Sequence, residues 1–229
     1  MKRPASYEPY CGPLSPNEVA KGTEVAASNA RDLFRSAEVL FGLGHFAQSA
    51  ALAILAIEEV QKVFILLDLL LAANEAETKR LWSEYRRHSP KQTRFSKWLR
   101  VKAHTEKKPS SDTREIEKLL SNPALGESVL ELRKQLYFYT DNFQGSGWSL
   151  PSRSATRGDA SKALAIVELV IAHTTLYSAA ELAIWRKHLV AIDAKSSRDK
   201  RSALLEFAAE LDHSGFQKPN WFETMLGSL

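Results

Sequence analysis

The sequence of 229 residues contains a single cysteine, Cys11. One cysteine excludes an intramolecular disulfide and is typical of proteins in a reducing compartment. The first sixteen residues hold basic side chains but also four prolines, and they lack the apolar core of a signal peptide. These absences predict a cytoplasmic protein that is not exported.

Motifs for metals and nucleotides are also lacking. The six histidines are scattered without HxxxH spacing, and there is no cysteine cluster, P-loop or GxGxxG sequence. The apolar run from Ala47 to Ala73 is interrupted by Glu58, Glu59, Lys62 and other polar residues, which favours a buried helix over a membrane span. We therefore expect no metal, no cofactor and no membrane contact.

Helical periodicity dominates the chain, and no segment alternates as a strand does. A first helix is predicted at Ser15, where Pro16 takes the first helical position and Glu18 completes a capping box; it runs for about 28 residues to Gly42 and Gly44. Further helices are predicted at about 46–73, 74–88, 92–102, 113–120, 125–139, 160–190 and 199–211. The fold class is therefore predicted to be all-α, a bundle of antiparallel long helices.

The chain is predicted to form one domain with a tail at each end. Residues 1–14 are a flexible N-terminal segment, residues 15–213 a single helical domain, and residues 214–229 a C-terminal tail. The domain divides into a motif-bearing part, 15–158, and a C-terminal helical extension, 159–213. Its longest predicted loop is 140–159, which contains three glycines, and long loops inside compact domains are often functional.

Positive charge is concentrated in one segment. The net charge is only +4, but residues 76–108 contain eleven Lys or Arg against three acids, a local charge of +8. Aromatic residues are interleaved with these cations, as in many nucleic-acid-binding surfaces. The candidate RNA-binding residues are Arg86, Arg87, Arg94, Lys97 and Arg100.

The stretch AILAIEEVQKVFILL, residues 53–67, places charge inside an apolar helix. Glu58 and Glu59 lie four and three residues before Lys62, so both carboxylates can reach its ammonium group. Burial costs several kcal/mol per ion before pairing offsets it. The group is either a polar stripe at a helix or dimer interface, or part of a functional site.

The stretch YRRHSPK, residues 85–91, contains His88 and Lys91. A histidine can act as acid or base near neutral pH, and the adjacent cations would attract phosphate. A solvated basic helix end is the alternative interpretation.

A third polar group lies in LRKQLYFYTD, residues 132–141. Arg133 and Tyr137 share a helix face, and Tyr139 and Asp141 follow at the end of the helix. Arg133 can bind phosphate. Tyrosine, with an ordinary pKa of about 10, is a poor base, so the catalytic signal here is weak.

These three motifs, in this order, resemble AbiV-type abortive infection proteins, a branch of the HEPN superfamily. The resemblance covers about residues 29–152. The matching residues are Glu58, Glu59, Lys62, His88, Lys91, Arg133, Tyr139, Asp141, Trp148 and Pro151. The sequence departs from the pattern at Gln61, where the family usually has glycine, and Tyr137 competes with Tyr139 for the aromatic position.

The resemblance implies a HEPN helical bundle, usually a homodimer, in bacterial anti-phage defence. Many HEPN proteins are metal-independent endoribonucleases with an Arg-x4–6-His motif, which is absent here. Arg100 and His104 have three residues between them, and Arg133 is followed at the required spacing by Tyr139 instead of histidine.

The leading hypothesis is phage defence through RNA or the translation machinery. Its catalytic residues would be His88, Arg133, Tyr139 and Glu59, and its supporting polar cluster Glu58, Lys62, Lys91, Tyr137 and Asp141. Two alternatives stay open. One is a non-catalytic helical dimer that binds a phage or ribosomal protein, and the other is the toxin of a toxin–antitoxin pair.

Overall fold

The computed structural model describes residues 8–87, 127–143, 147–190, 192, 195–219 and 222–227. Its helices are α1 (Pro16–Gly42), α2 (Phe46–Leu71), α3 (Glu75–Arg86), α4 (Glu127–Phe138), α5 (Pro151–Ser154), α6 (Arg157–Ala172), α7 (Ala179–Leu189), α8 (Ser197–His213) and α9 (Phe222–Gly227). Two short strands, β1 (Asn142–Phe143) and β2 (Gly147–Trp148), pair antiparallel. The all-α class is confirmed, while the helices predicted at 92–102 and 113–120 lie outside the described residues.

The first helix begins and ends where its sequence predicts. The Ser15 hydroxyl accepts a hydrogen bond from the Glu18 backbone N–H at 3.3 Å, and the Ser15 N–H donates to the Glu18 carboxylate at 2.7 Å. Gly44, just beyond the helix, has a φ of 80°, a conformation that glycine adopts without strain. Both ends of α1 are therefore fixed locally.

Helix α2 is the central element. It packs against α1, α3, α4, α5, α6 and α7, which explains why it is apolar on most of its circumference. Alanines in its first half allow α1 to approach closely, so that the Ser49 hydroxyl donates to the Ala37 carbonyl at 2.8 Å. The close contact between α1 and α2 is therefore built on small side chains.

The long helix predicted at 160–190 is two helices in the structure. Helix α6 ends at Ala172, and α7 begins at Ala179. Ser178 caps α7, because its hydroxyl accepts from the Glu181 N–H while the Glu181 carboxylate accepts from the Ser178 N–H. The prediction of one helix was wrong because apolar residues continue at helical spacing across the start of α7.

The predicted loop 140–159 is also more structured than expected. It contains the β1–β2 pair, the one-turn helix α5 and the first residues of α6. Helix α6 begins at Arg157 because Thr156 and Asp159 form a second capping box. The described residues of this stretch therefore form short regular elements next to α4.

Residues 10–14, which we name the strap, lie across α3. The Trp82 indole N–H donates to the Gly12 carbonyl at 2.8 Å, and the Tyr10 ring meets the Trp82 ring edge-on at 5.9 Å. Leu14 is buried, and its carbonyl accepts from Arg186 of α7 at 3.3 Å. The strap thus joins α3 to the C-terminal part of the chain.

The largest hydrophobic cluster combines the end of α2 with α7, α8 and α9. Phe207 of α8 lies at its centre, with Trp185 of α7 and Phe222 of α9 packed against it. Leu66, Leu69 and Leu70 of α2 belong to the same cluster. The predicted C-terminal extension and part of the predicted tail therefore share a core with the motif-bearing helices.

Candidate functional site

A buried ion pair joins α2 to α4. The Lys134 ammonium donates to the Glu58 carboxylate at 3.0 Å, and the two residues are 5% and 2% exposed. Glu58 was expected to hold Lys62, its neighbour four residues along the helix. That expectation was wrong, because the side chain of Glu58 faces α4 and finds a cation 76 residues away.

Lys62 pairs with the other glutamate. Its ammonium lies 2.5 Å from the Glu59 carboxylate and 5.2 Å from the centre of the Tyr85 ring on α3. Burial raises the pKa of Tyr85, although the Lys62 charge opposes that shift. Glu59 and Lys62 remain partly open to solvent, so this group, unlike Glu58 and Lys134, can meet a ligand.

Gln61 lies one turn beyond Glu58 on α2 and is completely buried. Neither its amide nitrogen nor its amide oxygen has a hydrogen-bond partner among the residues that the structure describes. An unsatisfied buried polar group costs about 1–3 kcal/mol. Buried polarity therefore continues along α2 beyond the ion pair.

Arg133 faces a different side of α4 from Lys134. It interacts electrostatically with Tyr137 and with Asp159 of α6. Burial raises the pKa of Tyr137, while hydrogen bonds from Thr156 and then the Arg133 charge lower the pKa of Asp159. Arg133 thus lies close enough to the first turn of α6 to interact with Asp159.

The remaining residues of the third motif lead into the hairpin. Tyr139 is 61% exposed and Trp148 is 76% exposed, whereas Tyr137 is buried. The Asp141 N–H donates to the Ser149 hydroxyl at 2.8 Å, and the Ser149 N–H donates to the Asp141 carbonyl at 2.6 Å. Of the two competing tyrosines, Tyr139 is the one that an external ligand can reach.

The candidate RNA-binding residues are only partly described. The Arg86 guanidinium stacks over the Trp82 ring at 5.2 Å and donates to the Tyr10 carbonyl and, at 3.4 Å, to the Cys11 sulfur. Arg87 is exposed. The other candidate RNA-binding residues, Arg94, Lys97 and Arg100, lie outside the described residues. So do the two candidate site residues of the second motif, His88 and Lys91. In this structure Arg86 binds the strap.

The first motif contacts both of the others. Lys62 meets the second motif at Tyr85, and Glu58 meets the third motif at Lys134. Lys134 was missed by the sequence analysis, although the sequence held one signal for it: a glutamate in an apolar helix requires a cation.

The chemistry of this arrangement differs from one pair to the other. The buried Lys134 ammonium is paired with Glu58 and is shielded from solvent, so this pair joins α2 to α4 and is not open to a ligand. Lys62 and Arg133 are partly exposed cations, which suits them to an anionic ligand such as phosphate.

Candidate metal sites and membrane spans are lacking in the same described segments. No group of three or more His, Cys, Asp or Glu residues there is placed to hold a metal ion. No helix in this part of the chain is long and apolar enough to cross a membrane.

Comparison with known proteins identifies a family for this chain. The family model HEPN_AbiV, described as AbiV, matches residues 18–172, more than half of the chain. The match begins inside α1 and ends with α6, so it contains all three polar motifs. No curated protein matches, and no solved structure matches.

Proposed function

We propose that this chain, which belongs to the AbiV family of HEPN proteins, defends bacteria against phage by cutting RNA needed for translation. Family membership makes it an abortive infection protein of AbiV type. The step beyond membership is the chemistry. That chemistry would be metal-independent endoribonuclease activity by a route other than the Arg-x4–6-His motif.

The observation that carries the proposal is the position of Lys62. Glu59 holds its ammonium at 2.5 Å, over the ring of Tyr85, which precedes His88 by three residues. A fixed, partly exposed cation can neutralise a phosphate, and a histidine can move a proton near neutral pH.

The proposed roles combine the position of Lys62 with the other residues of the three motifs. His88 takes the proton from the attacking 2′-hydroxyl of RNA as the bond from that oxygen to phosphorus forms and the bond from phosphorus to the 5′-oxygen breaks. Lys62, Lys91 and Arg133 stabilise the negative charge on the phosphate. Tyr139, which is exposed, is proposed to return a proton to the 5′-oxygen.

Supporting roles fall to the other polar residues. Glu59 orients Lys62, Glu58 locks α4 through Lys134, and Tyr137 and Asp141 position the segment that carries Tyr139. Arg87, Arg94, Lys97 and Arg100 would bind the RNA backbone. A homodimer is expected from the family, and the translation machinery or a phage protein would be the cellular partner.

The decisive test uses purified protein, cellular RNA and a chelator of metal ions. Wild type should cut RNA, whereas His88→Ala should cut at least about a hundredfold more slowly, the usual minimum contribution of a general acid or base. His213→Ala, at the exposed end of α8, is the matched control and should retain activity. If wild type leaves RNA intact and His88→Ala still protects cells from phage, the proposal fails.

Cell assays separate the rival functions. Charge reversal at Arg94 and Lys97 that abolishes protection, while His88→Ala and Tyr139→Phe preserve it, would identify a non-catalytic protein-binding module. Toxicity on expression without phage would identify the toxin of a toxin–antitoxin pair. The ribonuclease proposal instead requires that His88→Ala and Tyr139→Phe both reduce protection.

A further inference from the structure

We infer that the hairpin end of the bundle is an RNA-binding surface, where Trp148 stacks on an unpaired base and Arg153 and Arg157 bind the flanking phosphates. This inference rests on the proposed function, since it requires that the chain acts on RNA. It adds a contact site that is separate in sequence from the basic segment 76–108.

The exposure of Trp148 is the first observation. A large aromatic side chain usually buries most of its surface, yet Trp148 is 76% exposed. Its backbone is held by the pairing of β2 with β1, in register with Asn142, and by two hydrogen bonds between Asp141 and Ser149. The ring is therefore presented to solvent by a fixed framework, which lowers the entropic cost of stacking on a base.

Unpaired cations on the same stretch are the second observation. Arg153 of α5 and Arg157 of α6 are exposed, and neither guanidinium forms an ion pair with a described carboxylate. By contrast, the exposed Arg35 pairs with Asp32 at 2.6 Å. Arg157 is also oriented by the Phe41 ring, whose centre lies 5.5 Å from its guanidinium carbon. Both arginines are thus available to phosphate.

The nearby carboxylates are committed to the backbone. Asp141 accepts a hydrogen bond from the Asn142 N–H at 2.7 Å, and Asp159 accepts from the Thr156 N–H at 2.9 Å. Arg133 and Lys162 both interact with Asp159, so further cations lie at this end of the bundle. The local charge is therefore complementary to a polyanion.

These features favour RNA over a protein as the occupant. Single-stranded nucleic acid binds where exposed aromatic rings alternate with cations that follow the backbone. A protein interface would instead surround Trp148 with apolar residues and pair its charges across the contact. Leu150 is the one half-exposed aliphatic residue next to Trp148 on the described part of this stretch, and arginines follow it.

Fluorescence anisotropy with a labelled 2′-O-methyl oligouridine of about 12 nucleotides tests the inference, because this RNA has no 2′-hydroxyl to react. The full-length Trp148→Ala protein should bind at least about fivefold more weakly than wild type, and Trp148→Phe should regain most of the affinity. The double variant Arg153→Gln/Arg157→Gln should bind more weakly and reduce the slope of log K against log salt by about 1.4. Leu205→Ala, an exposed apolar residue of α8, is the matched control and should bind as wild type does.

The outcomes distinguish this inference from the proposed ribonuclease. If wild type binds the oligonucleotide and Trp148→Ala binds equally well, the inference is overturned while RNA cleavage is unaffected. If binding depends on Trp148 but no RNA is cut, the ribonuclease proposal fails and the RNA surface stands. If wild type binds no RNA while Trp148→Ala loses capture of a phage protein, the surface docks protein and the inference is wrong.

Discussion

At the scale of single residues, two buried side chains of α2 affect stability in opposite ways. Glu58 is neutralised by Lys134, whereas the amide of Gln61 has no described partner. A buried charge is tolerated only with its counter-ion, and an unsatisfied amide is a net cost. The two residues therefore give mutational predictions of opposite sign.

Removing one member of the ion pair should be severe. Glu58→Leu leaves the buried Lys134 ammonium without this carboxylate, so the free energy of unfolding should fall by about 3–5 kcal/mol, measured by urea denaturation. The double variant Glu58→Leu/Lys134→Met should be more stable than either single variant, because both charges of this buried pair are then removed together. Lys62→Met, which breaks the less deeply buried pair with Glu59, is the control and should cost less than Glu58→Leu, because the Glu59 carboxylate that it leaves is still partly open to water. Equal losses for the Glu58 and Lys62 variants would contradict the prediction.

Replacing Gln61 should be stabilising. Gln61→Met keeps the length of the side chain and removes two unsatisfied polar atoms, so the free energy of unfolding should rise by about 1–3 kcal/mol. Calorimetry or urea denaturation measures the change. Gln61→Glu is the matched comparison and should be destabilising, because it buries a charge. A less stable Gln61→Met protein would show that the amide has a partner in solution.

Local sequence spacing predicted the wrong partner for Glu58. The rule for residues three and four apart on a helix described Glu59 and Lys62 well, because both lie on one side of α2. It failed for Glu58, whose partner depends on how α4 packs against α2, and such a tertiary contact cannot be read from spacing alone. The polar motifs were found from the sequence, but only the fold assigns each acid to its cation.

At the scale of elements, short polar capping signals determine where helices begin. Ser15 and Glu18 predicted the start of α1 correctly, and the same pattern at Ser178 and Glu181 marks the start of α7. Between α6 and α7 the apolar periodicity was given more weight than this signal, which is why one helix was predicted instead of two. The capping residues were visible in the sequence, whereas the angle between the two helices was not.

The contact between α7 and α8 should be sensitive to acid. Glu210 of α8 accepts from Lys187 at 2.6 Å and lies 2.6 Å from the His188 ring nitrogen, and hydrogen bonds from these two residues lower the pKa of Glu210 from its ordinary value. A carboxyl group whose pKa is lower in the folded protein stabilises the fold at pH values above its pKa in the unfolded chain. That stabilisation is lost as the pH falls through its pKa in the folded protein.

The stability advantage of wild type over Glu210→Gln should therefore be present at pH 6 and shrink below about pH 4.5. Urea midpoints across this range measure it, and added salt should reduce the difference because Lys187 is exposed. Glu206→Gln, whose more exposed carboxylate lies 3.9 Å from His188, should show a smaller difference. An advantage that is independent of pH would contradict the assigned cause.

At the scale of the whole molecule, the family match ends at residue 172 but the hydrophobic core does not. Leu66 and Leu70 of α2 lie inside the match, and Trp185, Phe207 and Phe222 lie beyond it, yet all five belong to one cluster. Burial in a shared core couples the stability of the two parts. The all-α class was predictable from periodicity. This coupling was not, because the apolar face of a helix does not indicate which other helix it packs against.

Truncation after residue 172 should expose the end of α2. The shortened chain loses α7, α8 and α9, so leucines that are buried in the whole protein become accessible to water. We expect it to aggregate, or to unfold at a lower urea concentration than the full chain, as measured by light scattering and circular dichroism. Removal of residues 223–229 alone keeps Phe222 and serves as the control, for which we expect a smaller loss. A soluble truncated protein with unchanged stability would contradict a shared core.

The strap has a consequence for the order in which the protein is made. Its carbonyl groups bind Trp82 of α3 and Arg186 of α7, so residues near the start of the chain contact residues synthesised much later. The complete set of strap contacts can form only after Arg186 has emerged from the ribosome. Until then, the strap of the nascent chain can be held by α3 but not by α7.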